Sequence, residues 1–434
     1  MTKYKESIAE NRLRAMFPEE WLRNTAKETG LIKRERKIDP VIIFWVLTLG
    51  FGVRLQRSLA SLKRQYEKDS AETISDSSWY YRFTPEMVKF LQLCVIHGIE
   101  DLAKEPNRKL TDKLDTFKDV LIQDSTILRL HKSLSEKFPA ARSRNVAAGI
   151  KVSVLVSAIA DGPKKVALYG ERTAESKTLR VGPWVKDRVI LLDLGFYKHH
   201  MFAKISENGG YFVSRLKGNV NPVIVSINGE NSGDEFQNIM GKPVRDILPQ
   251  LEGERLDAIV EIPFKRRAYR GKQKQDTMNF RLVAIFNEDE QKYHLYLTNI
   301  QKDVLDSKDI ATLYGARWDI ELLFKELKSK YALDLLESKN EQIMEAYIWI
   351  SILTLLISRR IYCLVRDANP GKKMVRYTQL RWGTIFAETA SDLLTSVLNS
   401  CGFDKTFETI MEVYDSQALD PHINRERFRS EWWA

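Results

Sequence analysis

The sequence contains few cysteines, only three in 434 residues: Cys94, Cys363 and Cys401. They are odd in number and far apart along the chain, which argues against a disulfide framework and against a zinc knuckle. Cysteine usage of this kind fits a reducing compartment. We therefore expect a cytoplasmic protein.

The sequence also lacks a secretory signal and a long hydrophobic run. Its N-terminus, MTKYKESIAENRLR, is charged from the outset and has no apolar core. The most apolar stretch, residues 346–358, is too short to span a bilayer and is followed by Arg359 and Arg360. We predict that this stretch forms a buried helix and that the protein has no membrane partner.

An excess of acidic residues is missing as well. The chain has 68 Lys and Arg against 58 Asp and Glu, a net charge of +10, which favours a polyanionic partner such as nucleic acid. Its 44% hydrophobic and 29% charged residues are ordinary for a soluble globular protein. The length is enough for two or three domains with a large core.

The first hundred residues read as helical. Asp39-Pro40 is typical of an N-cap followed by a first-turn proline, and Thr84-Pro85 repeats that signal for a helix running to about residue 103. A second helix is predicted at about residues 55–68. Short helices with basic side chains and the aromatic residues at 79–81 are compatible with a helix-turn-helix that binds DNA. A plain helical bundle is the alternative.

The pattern then changes to strands. Residues 117–130 form a β-type run with Asp124 in its middle, and further runs occupy 150–159 and 165–169. The apolar run 188–192 ends on Asp193, and sites in open α/β sheets gather at the carboxyl ends of strands. Each aspartate has a structural alternative. Asp124 could begin a turn with the two residues after it, and Asp193 could cap a following helix.

A segment rich in β-type runs separates these strands from the last helical part. Its most basic stretch, KRRAYRGKQK at residues 265–274, has six Lys or Arg and no acid. It is either a solvated hairpin tip or a loop that grips phosphates, with Tyr269 available to stack on a base.

Residues 306–331 carry the most informative pattern. Asp306 and Asp309 form a helix-start signal, and with no proline and no later glycine a continuous helix to about residue 331 is predicted. Four side chains then share one stripe beside the apolar face: Tyr314, Arg317, Glu321 and Lys328. The stripe could be a solvated face held by i,i+4 ion pairs.

The spacing Tyr-x2-Arg-x3-Glu-x6-Lys resembles the YREK signature of the IS4-family DDE transposases. The letters LIQDST around Asp124 and LLDLGFY around Asp193 are similar to the two aspartate motifs of that family. The resemblance covers about residues 115–365. It implies an RNase H-like fold in which Asp124, Asp193 and Glu321 are the catalytic and metal-binding residues.

The expected architecture is α/β, with an RNase H-like catalytic core interrupted by a β-rich insertion, an all-α N-terminal domain before it and a helical tail after it. The expected divisions are a DNA-binding domain at 1–104, the core at 115–220 and 306–368, the insertion at 221–305, and the tail at 369–434.

The resemblance also implies the chemistry. Three carboxylates would hold two Mg²⁺ ions, for which Mn²⁺ may substitute, because these hard cations want oxygen ligands. Tyr314, Arg317 and Lys328 would contact DNA phosphates. The expected partners are double-stranded DNA, both the element's terminal inverted repeats and the target, bound by a dimer in a prokaryotic, nucleoid-associated setting. Alternatives are a DNA-binding regulator with a silent core, or a metal-dependent nuclease without strand transfer.

Overall fold

The computed structural model describes most of the chain. It covers residues 2–34, 37–53, 58–105, 108–141, 147–228, 239–251, 255–266, 272–334, 336–369, 378–399 and 402–419. The predicted loop residues 267–271, with Tyr269, lie outside these ranges, as do residues 55–57 of the helix predicted at 55–68 and the C-terminal residues from 420 onward.

The N-terminal part is helical, as predicted. Its helices span Thr2–Met16, Glu19–Glu28, Pro40–Val46, Leu59–Ser70, Asp76–Tyr80 and Pro85–Lys104, and a π-helical turn, Leu47–Phe51, continues the third. The side chain of Asp39 accepts hydrogen bonds from the amides of the first helical turn, which confirms the predicted cap. The helix expected at 55–68 begins later, at Leu59, because Ser58 is its N-cap.

The centre of the molecule is a nine-stranded sheet. The strands are β1 (Asp119–Leu130), β2 (Ala148–Ser157), β3 (Gly162–Gly170), β4 (Arg188–Leu192), β5 (Tyr211–Arg215), β6 (Val223–Ile227), β7 (Leu256–Lys265), β8 (Gln275–Asn287) and β9 (Lys292–Thr298). Their order is β3-β2-β1-β4-β5-β9-β8-β7-β6. A mixed α/β fold is thus confirmed.

Two kinds of pairing meet in this sheet. β1, β2 and β3 are antiparallel neighbours, whereas β4 and β5 run parallel to β1. β9 pairs antiparallel with β5, so the strands of the segment 221–305 extend the same sheet rather than forming one of their own. β6 was not predicted from the sequence.

Helices cover and flank the sheet. In the later part of the chain they span His199–Glu207, Val244–Ile247, Ser307–Gly315, Trp318–Ser329, Glu341–Ala368, Gln379–Asn399 and Phe403–Gln417. We call Trp318–Ser329 the signature helix and Glu341–Ala368 the core helix.

The core helix confirms the predicted buried helix, although it is longer than the apolar run that predicted it. By length and composition alone it could cross a membrane, but its apolar window is entirely buried inside the protein, as in the core helix of a soluble protein. Arg359 and Arg360, which directly follow the apolar run in the sequence, are buried too.

The continuous helix predicted for residues 306–331 is wrong. The predicted start is present, because Asp306 and Asp309 form a reciprocal capping box, but the first helix ends at Gly315 and the next begins at Trp318. Between them the amides of Ala316 and Arg317 bond to carbonyls three residues back, at 3.1 and 3.0 Å. Such i→i−3 bonds tighten the chain and break the even 100° spacing on which the stripe was drawn.

Candidate active site

The sheet register places the two predicted aspartates side by side. β1 and β4 are parallel and pair up to Gln123 opposite Leu192, so Asp124 on β1 and Asp193 directly after β4 occupy the next position. β4 ends at Leu192, whereas β1 continues to Leu130. Because this is the carboxyl end of β4, the register brings the two carboxylates to the kind of edge where α/β sites form.

Neither structural alternative for the aspartates is seen. Asp124 does not open a turn, because Ser125 and the residues after it stay paired with β2. Asp193 precedes a short 3₁₀ turn, Leu194–Phe196, but its side chain makes no capping hydrogen bond there. Both carboxylates are therefore left for another role.

Asp124 lies in an environment that disfavours its charge. Burial raises its pKa to about 6, and the neighbouring negative charges of Asp193 and Glu175 act in the same direction. A hydrogen bond from the Ser125 amide to Asp124 Oδ1, 2.7 Å long, and the positive charge of Arg317 oppose this shift. A bound cation would favour the ionised carboxylate further.

Arg317 connects the third predicted carboxylate to the first. Its Nη2 donates to Glu321 Oε1 at 2.6 Å, and its Nη1 lies 3.9 Å from Asp124 Oδ2. The i,i+4 ion pair considered in the sequence analysis is thus present, yet it is not a solvated surface pair, since the Arg317 side chain is only 18% exposed. Asp124, Glu321 and Lys328 line one groove, together with Ser125, Phe324, Lys325, Ser329 and Asp334.

Tyr314 is buried rather than exposed on a stripe. Its ring packs against Tyr296 of β9 at 5.4 Å between centroids, and the Arg317 guanidinium lies 5.9 Å from the ring. Among the residues that the structure describes, its hydroxyl has no hydrogen-bond partner. Burial raises the pKa of Tyr314 to about 12, so this hydroxyl stays protonated at neutral pH and can donate a hydrogen bond.

Lys328 lies two turns beyond Glu321 on the signature helix and is partly buried at the groove. Burial lowers its pKa, and the negative charge of Asp334 opposes this effect. The structure therefore brings Asp124, Asp193, Arg317, Glu321 and Lys328 to one region, with Tyr314 beneath it.

Three further residues at this region were not among the predicted site residues. Arg215 ends β5 at the position after Ser214, which pairs with Leu192, so it stands level with Asp193. Glu175 and Ser125 also lie beside Asp124. The sequence does mark Arg215 at the end of a strand-like run, whereas Glu175 sits in a short turn with no sequence signal.

The predicted phosphate-gripping loop connects β7 and β8 as a hairpin, with Lys265 opposite Gln275. The tip of this hairpin lies outside the described residues, so both alternatives for it stay predictions. At its base Arg266 is bound to Glu207 and Asp276, at 2.6 and 2.5 Å, rather than pointing freely into solvent.

The side chains at this site are of the chemical type that binds divalent metal ions. Carboxylate oxygens are what Mg²⁺ and Mn²⁺ prefer, and Asp124 and Asp193 offer them at adjacent positions. In the described part of the chain, no group of three or more His, Cys, Asp or Glu side chains is arranged to hold a metal ion. Arg317 supplies positive charge between Asp124 and Glu321 in that arrangement.

The mixed sheet presents two neighbouring carboxylates at parallel strand positions, and a third lies on a helix beside them. This arrangement defines an α/β enzyme whose site is built from acidic residues. Residues 115–357, more than half of the chain, match the family described as "Transposase DDE domain". The chain belongs to this family and is a DDE transposase of the IS4-like group. Membership implies dependence on divalent metal ions in general.

Transposases of known insertion sequences that resemble this chain agree with the assignment. The transposase for insertion sequence element IS231F of Bacillus thuringiensis subsp. israelensis is 22% identical over 446 aligned residues, covering 93% of this chain and 90% of the relative. The transposase for IS1151 of Clostridium perfringens is 21% identical, covering 77% and 76%. A shorter stretch of 59 residues is 39% identical to putative transposase InsL of Escherichia coli K12.

A solved structure shares a weak likeness. It is a piggyBac transposase synaptic complex with hairpin DNA, 11% identical, with a TM-score of 0.46 over 96% of this chain and 86% of that chain. A likeness of this degree is too weak to assign the fold.

Proposed function

We propose that this transposase cuts the ends of its insertion sequence and joins them to target DNA, using Asp124, Asp193 and Glu321 as its catalytic carboxylates. The observation that carries the proposal is the register of β1 and β4, which sets the two aspartates side by side. Arg317, bonded to Glu321 and near Asp124, connects the third carboxylate to the same place.

An RNase H-like core fits the sheet. The order β3-β2-β1-β4-β5, with three antiparallel strands followed by two that run parallel to β1, supports this fold for residues 115–220 and 306–368. The strands β6–β9 then form the insertion at 221–305. The helical regions at 1–104 and 369–434 complete the proposed division.

The mechanism assigns each side chain a task. When bound, two divalent cations such as Mg²⁺ would activate the attacking oxygen and stabilise the leaving oxygen. Asp124 and Asp193 would hold them, and Glu321 would complete the set by giving up its bond to Arg317. The released guanidinium, with Lys328, would then neutralise the phosphates beside the scissile bond.

Two surfaces would hold the rest of the double-stranded DNA, the terminal inverted repeat and the target. A cleft beside the site carries the exposed Lys198, Lys217 and Lys265, with Tyr197 and Phe264 among its walls. In the N-terminal region, Tyr80 and Tyr81 are 43% and 73% exposed. We propose this region as the end-binding domain, and a dimer as the form that pairs two ends.

Salt dependence tests the cleft. Changing Lys198, Lys217 and Lys265 together to Ala should weaken binding of a terminal DNA fragment, because each lysine that contacts a phosphate releases counterions. The slope of log affinity against log salt should become shallower by roughly 2–3, at about 0.9 for each contact. The measurement is a mobility shift at several salt concentrations.

Lys405→Ala is the matched control, since Lys405 is exposed on the helix Phe403–Gln417 and does not line the cleft. It should leave the slope as it is in the wild type. A triple variant with the wild-type slope would remove the cleft from the DNA path.

Tyr314→Phe tests the buried hydroxyl. Because this hydroxyl lacks a partner among the described residues, its removal should leave the melting temperature unchanged or raise it slightly. Binding of a terminal fragment should nevertheless weaken, by about threefold to thirtyfold, if the hydroxyl donates to a phosphate in the complex. A lower melting temperature with unchanged binding would make Tyr314 a purely structural residue.

The experiment that tests the whole function uses a labelled terminal fragment with target DNA and Mg²⁺. Joined products support transposition, whereas nicked fragments that never join would favour a nuclease. Binding without any nicking would favour a DNA-binding regulator with a silent core.

A further inference from the structure

Glu175 lies close to the acidic site but has no part in the mechanism above. It begins a short 3₁₀ turn, Glu175–Lys177, in the segment between β3 and β4. Its carboxylate is a negative neighbour of Asp124, and the Ser125 hydroxyl lies 3.4 Å from Glu175 Oε1 as a donor. Glu175 therefore reaches the β1 residue that follows Asp124.

The same carboxylate contacts the turn that follows Asp193. A Cβ placed on Gly195 would come within 1.5 Å of Glu175 Oε2 and 2.7 Å of its Cδ, so the carboxylate occupies the space above this glycine. The backbone of Gly195 is not in the left-handed region. Glycine is needed there for room rather than for its conformation.

The backbone of Glu175 is held in place. Its main-chain carbonyl accepts two hydrogen bonds from Thr178, one from the amide and one from the hydroxyl, each 2.8 Å long. Thr178 is itself buried. From this anchored backbone one side chain contacts the residue after Asp124 on one side and the turn after Asp193 on the other.

We propose that Glu175 is a positioning residue of the acidic site, which sets the spacing between Asp124 and Asp193 and adds a fourth negative charge beside them. The inference rests on the proposed catalytic role of those two aspartates. Negative charge near the pair disfavours the metal-free state and attracts a cation. Residues that orient metal ligands in this way are typically worth 10–100-fold in metal affinity or activity.

Glu175→Gln separates charge from shape, because Gln can still accept from Ser125 and fill the space over Gly195. We expect it to raise the Mg²⁺ concentration for half-maximal end cleavage by on the order of tenfold. Binding of the terminal fragment in chelator and the melting temperature should match the wild type. Binding of Mn²⁺ to the complex with the terminal fragment, followed by electron paramagnetic resonance, should weaken by a similar factor.

Gly195→Ala provides a second test that leaves Glu175 in the sequence. The new methyl group would meet the end of a flexible side chain, so the carboxylate should be displaced rather than the backbone. The variant should therefore repeat the metal defect of Glu175→Gln, and the double variant Glu175→Gln with Gly195→Ala should be no worse than either single one. Glu288→Gln, an exposed carboxylate between β8 and β9, is the charge-matched control and should behave as wild type.

The outcomes separate this inference from the function beneath it. The positioning role of Glu175 would be overturned if Glu175→Gln kept the wild-type Mg²⁺ requirement and the wild-type Mn²⁺ affinity. It would also be overturned if only the melting temperature fell while both of these stayed unchanged. Additive losses in the double variant would also count against it. If Asp124→Ala or Asp193→Ala still cleaves DNA, the proposed site itself fails, whatever Glu175 does.

Discussion

Replacement of Asp124, Asp193 or Glu321 by Ala is expected to abolish metal-dependent nicking of the element's ends while sparing their binding. The expected loss is at least a thousandfold, because each carboxylate supplies ligands to cations that act on the transition state. Affinity for DNA comes instead from many Lys and Arg contacts to phosphates, which these changes leave in place.

The three variants are also expected to fold. Asp124 is in an environment that raises its pKa, because its burial outweighs the hydrogen bond from the Ser125 amide, so removing its charge relieves an unfavourable burial. Glu321→Ala frees Arg317 from its 2.6 Å bond, which leaves a guanidinium available for phosphate. Binding of ends could therefore tighten slightly in that variant.

The assay is a nicking gel beside a mobility shift on the same labelled end, with Mg²⁺, Mn²⁺ and chelator. Asp187→Ala is the matched control, because Asp187 precedes β4 at its opposite end and pairs only with the exposed Lys118 among the described contacts. It should cut as the wild type does. Full cleavage by any one variant would remove that residue from the site, and full cleavage by all three would leave the proposed chemistry without support.

The site could be approached from the sequence because its aspartates follow local rules. An apolar run that stops at an acid predicts a strand end, and β4 spans the five predicted residues, Arg188–Leu192. That Asp124 lies next to Asp193 could not be read from either motif, since it depends on the parallel pairing of β1 with β4. Only the family resemblance predicted that Asp124, Asp193 and Glu321 lie together.

Other features depend mostly on tertiary packing. The break before Trp318 occurs without proline but directly after Gly315, a helix-ending residue that the expectation of a continuous helix did not weigh. As a result Tyr314 turned inward against Tyr296 instead of joining an exposed stripe. Glu175 reaches the site from a turn after β3, and only the folded chain brings that turn beside Gly195.

The burial of Arg359 in the core helix was likewise not predicted from the sequence. Its replacement is the second change for which we expect a large effect. Arg359 directly follows the apolar run in the sequence, where a polar boundary is expected, yet its side chain is fully buried. It binds Glu326 of the signature helix through two hydrogen bonds, at 3.0 and 2.5 Å, and donates from Nε to the Asp161 carbonyl at 2.9 Å. This network fixes the helix that carries Glu321 against the core helix.

Arg359→Ala is expected to lower the free energy of unfolding by about 3–5 kcal/mol, because it leaves the Glu326 carboxylate buried without its partner. Changing both residues, Arg359→Met with Glu326→Leu, should recover most of that loss, since a buried pair can be replaced by apolar side chains at little cost. Urea denaturation measures both. Lys118→Ala, which breaks a pair whose side chains are 58% and 39% exposed, is the control and should cost less than about 1 kcal/mol. A double variant as unstable as the single one would show that the stability comes from the wider contacts of Arg359, with Asp161 foremost, rather than from charge pairing with Glu326.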